Sequence, residues 1–350
     1  FTFKFFHTMK KLIFAATAIV AALFASCDKE SETLNPTTPG AVEGAQVTLT
    51  LAGADEQTRA FFDNTAKAEA WESSLSSLSV FAFDKAGTLI LRRDFTSAEL
   101  TAKSATFALP KSTAGTECSF YAVANYDASS AKTKSALTSM LEKSAGDYNG
   151  TFAEVSTKAK RSGGFVMSGS TTKTVGVVNT ITDIAITIKR TVAKVAMQTT
   201  IDPTFSQKYG GTLTINSVKL SKAASQSLLI AGTPTPGAMS YTHTQTPASA
   251  SGTQNNLFYL FENGTLTVGN RVLLEINATY DMDGNASTSD DRSEVTYSIE
   301  LTGKSAGEIL RNGYYRIAAN ITGLVGQDCT VSVTVADWEM PVTQNVDLGA

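Results

Sequence analysis

The chain has 350 residues, 42% of them hydrophobic and 17% charged, with 29 basic against 32 acidic side chains for a net charge of −3. It is too apolar for disorder, long enough for one large or two medium domains, and too evenly charged to present a polyphosphate-binding face, so nucleic acid is excluded as a partner. Two histidines and three cysteines leave little material for metal centres or acid–base machinery built on several such ligands.

The pattern Met9-Lys10-Lys11, an apolar run over 12–24 and the small pair Ala25-Ser26 describe a secretory signal over 9–27. As a helix the run is roughly 20 Å long, too short for a bilayer core of about 30 Å. Residues 1–8, which carry His7, fit no part of the signal and are read as sequence upstream of the true start. Leu23-Phe24-Ala25-Ser26-Cys27 resembles a bacterial lipobox, with Cys27 as the lipidated residue. The typical Leu sits one place early, and the alternative is an ordinary signal peptidase site with an incidental Cys. Asp28-Lys29-Glu30-Ser31-Glu32 is similar to the surface-export signals of Bacteroidetes lipoproteins, so export to the cell surface is expected. Cys118 and Cys329, 211 residues apart and without metal spacing, are expected to be two separate buried thiols.

Residues 30–44, with Pro36 and Pro39, have the composition of a tether. Val47, Leu49 and Leu51 then alternate with polar partners and predict a half-buried strand. The polar segment 52–60, which contains Arg59, reads as an exposed loop open to a trypsin-like protease. Next come strands at 78–83 and 88–91 around the turn Asp84-Lys85-Ala86-Gly87, then 106–109 and 119–124, and a helix over 131–143. A long β-type run over 181–195 is interrupted at Lys189-Arg190, where the domain boundary is placed. Strands at 213–220, 257–261, 272–280, 294–301, 314–321 and 331–335 follow. The fold class is mainly β, two tandem β-sandwiches with few short helices.

Catalytic signals are weak. His243 lies in a loop-like stretch without a nucleophile motif, and is expected to be a solvent-exposed loop residue. Asp281, Asp283 and Asn285 alternate as calcium ligands do, but Ala286 and Arg292 break the EF-hand pattern, so a polar hairpin tip is expected. Gly163-Gly164 lacks the strand and helix frame of a nucleotide site. No enzyme activity, metal or cofactor is expected.

Taken in order, the lipobox, Thr58-Arg59-Ala60, the stretches 78–84, 164–169, 188–195, 259–263 and 312–317, and the closing Val335-Ala336-Asp337-Trp338 resemble the fimbrillin family of Bacteroidales, the subunits of type V pili. The resemblance implies two transthyretin-like β-sandwich domains, 60–189 and 190–350, behind a propeptide over 28–59. It implies a precursor lipoprotein at the outer membrane, cleavage between Arg59 and Ala60 by an Arg-specific protease, and displacement of the strand bearing Val47, Leu49 and Leu51. The displacing strand is the alternating tail with Val342, Val346 and Leu348, donated by another copy to give a filament with other copies and accessory pilins. The sequence-level alternatives are a tail folded onto its own domain and, for the protein, a tip or accessory adhesin binding glycan or protein. Cleavage would leave 291 residues with 24 basic and 26 acidic side chains, so charge hardly changes.

Overall fold

The computed structural model describes residues 44–52, 62, 69–157, 163–234, 239–247 and 252–325, with the backbone of 335–337 and 342–348. The signal, Cys27, Arg59, Ala60, Cys329 and most of the strand expected at 331–335 lie outside the described residues.

Chain order in the first half is β1 (Ala45–Ala52), β2 (Leu78–Phe83), β3 (Leu89–Asp94), α1 (Ser97–Ala102), β4 (Ser104–Leu109), β5 (Glu117–Ala124), α2 (Lys134–Thr138), β6 (Leu141–Glu142), α3 (Ala145–Tyr148), α4 (Phe152–Ser156), β7 (Met167–Thr174), β8 (Ile181–Thr187) and β9 (Lys189–Arg190). The second half holds β10 (Val192–Ile201), α5 (Phe205–Tyr209), β11 (Thr212–Ala223), β12 (Ser227–Leu228), β13 (Tyr241–Gln245), β14 (Gln254–Phe261), β15 (Leu273–Asp281), β16 (Arg292–Glu300), β17 (Gly313–Ile321), β18 (Val335–Asp337) and β19 (Val342–Leu348).

These strands build two sandwiches. In the first, the sheet β4-β1-β8 faces the sheet β3-β2-β5-β7-β9 across a core that includes Val47, Leu49, Val80, Phe120 and Ile184. In the second, β14-β10-β17, with β18 and β19 on the far side of β17, faces β13-β11-β15-β16 across Val195, Ile215, Ile276, Tyr297 and Ile317. The mainly β, two-sandwich expectation therefore holds. Leu78–Phe83 lacks alternation because both of its faces are covered: Val80 points into the sandwich, while Phe81 and Phe83 pack outside it against Leu137, Leu229 and Ile230. Two apolar clusters of this kind join the halves, and β6 pairs with β12 between them.

The helix expected over 131–143 is only α2. Thr133 caps its start, accepting from the Ala136 N–H at 3.1 Å. Past Thr138 the chain turns, and Leu141–Glu142 is taken into the ladder with Ser227–Leu228. His243 is likewise not a loop residue. It lies half-buried on β13, and its Nε2 donates to the Gly150 carbonyl at 2.8 Å. Cys118 is a buried free thiol of the first core.

Candidate assembly site

β1 is a central strand, not an edge. It pairs antiparallel with β4, Leu49 opposite Ala105, and parallel with β8, Leu49 beside Ile184. Val47 and Leu49 are fully buried and Leu51 is 5% exposed, with Ala45 completing the inward row. The outward row is polar and wetter, and Thr48 shares a 2.9 Å hydroxyl contact with Thr106. This is the alternation that one covered and one open face demands. Burying the three large side chains is worth about 5–9 kcal/mol, and ladder bonds add roughly 0.5–1.5 kcal/mol each. At the strand's end, Leu51 N–H donates to Lys103 at 2.9 Å and the Ala52 carbonyl accepts from Ile188 N–H at 3.0 Å. Removing β1 would leave β4 and β8 with facing unpaired edges over an apolar floor. The gap dictates polarity as well, because a replacement must run antiparallel to β4 and parallel to β8.

The tail strand β19 runs parallel to β17 in its own sheet, Val342 opposite Tyr315, Val346 opposite Ala319 and Leu348 opposite Ile321. The tail is thus seated on its own domain.

Downstream of Arg59 lies a feature that sequence reasoning missed. The turn Ala70–Ser73 carries Glu72 into a fully buried position, where its Oε1 meets Lys194 Nζ at 2.8 Å and accepts from the Tyr259 hydroxyl. Burial pushes the Tyr259 hydroxyl well above its ordinary pKa, and the Glu72 carboxylate pushes it further, so it stays a donor. Arg190 binds the Glu72 carbonyl at 2.8 Å, Ser73 Oγ at 2.8 Å and Asn312 Oδ1 at 3.0 Å. Arg316 donates to the Phe62 carbonyl and lies 4.6 Å from the centroid of its ring. The stretches 188–195, 259–263 and 312–317, far apart in sequence, therefore converge on the segment just after the expected cut. The stretch 164–169 has its own geometry. Gly164 takes φ +81°, and a Cβ on Gly169 would sit 2.1 Å from the Thr187 carbonyl oxygen, so β7 packs too closely on β8 for a side chain. A signal for the cluster existed: Arg190 and Lys194 stand inside a buried β run, and a buried cation needs a buried partner.

Glu72→Ala would strand Lys194 without its carboxylate. A loss of about 3–5 kcal/mol in unfolding free energy is expected, measured by urea denaturation. A loss below 1 kcal/mol would mean the cluster contributes little.

The family model of the fimbrillin-A associated anchor proteins Mfa1 and Mfa2 matches residues 42–342. The chain belongs to this family. It is accordingly a fimbrial, adhesion-type protein of the cell surface, structural rather than enzymatic, which assembles with other pilins. No curated protein matches the chain. Solved structures share its fold. A candidate cell adhesion protein from Parabacteroides distasonis has 16% identity and a TM-score of 0.58, covering 86% of this chain and 99% of its own. One from Bacteroides eggerthii has 20% identity and a TM-score of 0.55, with 89% and 100% covered. The tip fimbrial protein Mfa3 of Porphyromonas gingivalis, truncated at its carboxyl terminus, has 14% identity and a TM-score of 0.54, with 84% and 99% covered.

Proposed function

We propose that this fimbrial protein is a stalk subunit whose precursor is lipidated at Cys27, cleaved between Arg59 and Ala60 by an Arg-specific protease, and polymerised by strand exchange. The observation that carries this is the central, inward-facing position of β1, whose only covalent link to the rest of the sandwich passes through the segment containing Arg59. One cut turns a fixed strand into a replaceable one. The mature domains are taken as 60–189 and 190–350, with the precursor at the outer membrane and the product in the fimbrium. The incoming strand is the tail of another copy or of an accessory pilin. Period-two spacing gives it one register in which Val346 takes the place of Val47, Leu348 that of Leu49 and Ala350 that of Leu51, with Gln344 in that of the buried Ala45. The Glu72 cluster fits the same scheme, because the residues after the cut remain pinned to the second sandwich while β1 leaves.

The test is the amino-terminal residue of the surface protein, together with electron microscopy after protease treatment. Ala60 and long fibres are expected; another terminus, or monomers only, would remove the stalk assignment. A second reading, a tip or accessory adhesin binding glycan or protein, is favoured by one observation, the seating of β19 on its own β17. A terminal subunit donates no tail, and would cap fibres without extending them.

A further inference from the structure

The hairpin tip between β15 and β16 brings together three carboxylates from Asp281, Asp283 and Asp291, one oxygen of each lying within 4.8 Å of the others. Their hydrogen bonds leave particular atoms over. Asp281 Oδ2 accepts from Arg292 Nε at 3.0 Å, Asp291 Oδ2 from the Asp283 N–H at 2.7 Å, and Asp283 Oδ1 from the Asn285 N–H at 2.7 Å. The Gly284 N–H also faces the Asp281 carboxylate, yet Asp281 is only 6% exposed and no donor reaches its Oδ1 in hydrogen-bond geometry, and none reaches the shielded Oδ1 of Asp291. A buried carboxylate oxygen without a hydrogen-bond donor is costly, and here two such oxygens belong to one cluster. Arg292 supplies a single positive charge against Asp281, Asp283, Asp290 and Asp291.

We infer that this cluster is a calcium site that braces the β15–β16 tip. All the donors are oxygens, which selects a hard cation. Asp281 closes the inner side, and the exposed Asp283 leaves the outer side to water, an arrangement that the flexible coordination of calcium accepts and the strict octahedron of magnesium does not. With three carboxylates and no EF-hand frame, the affinity belongs in the weak extracellular range, on the order of 10⁻⁴ to 10⁻³ M. This site is independent of the filament scheme, since it lies in the second sandwich, away from β1.

Calorimetric titration of calcium into the purified full chain, stripped with chelator, tests it. One calcium per chain is expected, with magnesium binding at least about tenfold more weakly and the Asp283→Asn/Asp291→Asn variant losing at least about tenfold in affinity. Hydrogen exchange on the wild type locates the ion without a mutation, and calcium should slow exchange over 281–292. No binding up to about 10 mM, roughly ten times the weak end of such sites, would overturn the inference. So would binding unchanged in the variant, or protection confined to another part of the chain.

Discussion

Replacing Arg59 by Ala is expected to keep the chain monomeric after exposure to a trypsin-like protease, whereas the wild type gives ladders on a gel and fibres by electron microscopy. The reason is competitive. While β1 is tethered, it meets its groove at an effective concentration on the order of millimolar. A neighbour's tail arrives at a concentration on the order of micromolar, a deficit of about a thousandfold, or roughly 4 kcal/mol. Val47, Leu49 and Leu51, all buried against β4 and β8, add their own burial energy to that advantage. Cutting removes the tether term alone. Once dissociated, β1 is diluted and the exchange becomes one-way. A control separates the cut from the side chain: Arg59→Ala carrying an unrelated protease site before Ala60 should polymerise when that second protease is added. Fibres from the uncut variant would sink the scheme.

The elements most legible in the sequence are those with one wet face. β1 announced itself because Val47, Leu49 and Leu51 alternate with Gln46, Thr48 and Thr50, and only one side is covered. β15 and β16 were readable around their polar tip for the same reason. β13 was not, because Tyr241–Gln245 carries few apolar side chains and borrows its place from pairing with β11. His243 was misread with it. The helix over 131–143 failed through competition: Leu137 alone anchors α2, and pairing with Ser227–Leu228, some 85 residues away, claims the rest. Non-local demands also hid the Glu72 cluster. A single Glu in a short turn carries no local mark, and its partners lie 122 residues on at Lys194 and 187 on at Tyr259. Only the two buried cations of the 188–195 run, Arg190 and Lys194, hinted at it.

Deleting 344–350 is expected to abolish fibre growth while clipped monomers still form. That deletion also strips β19 from β17 and exposes the edge at Tyr315–Ile321, so lost growth could reflect a weakened second sandwich. A peptide of residues 342–350 added in trans avoids the difficulty, because it leaves the protein's own tail in place. It should bind the clipped chain and stop elongation, yet ignore the intact chain, whose groove is filled by β1. Replacing the positions of Val346 and Leu348 in that peptide with Asp should reduce its binding at least about a hundredfold, since each would place a carboxylate where a fully buried Val47 or Leu49 sat. The same substitutions at Val342 should matter less, because in the register proposed above that residue lies beyond Ala45, where β1 begins, and replaces none of its inward side chains. Equal binding to clipped and intact chain would place the peptide somewhere other than the β1 groove. Equal loss at Val342 and Val346 would show the exchanged strand shifted by two residues, with Val342 in the place of Ala45 and Gln344 in that of Val47.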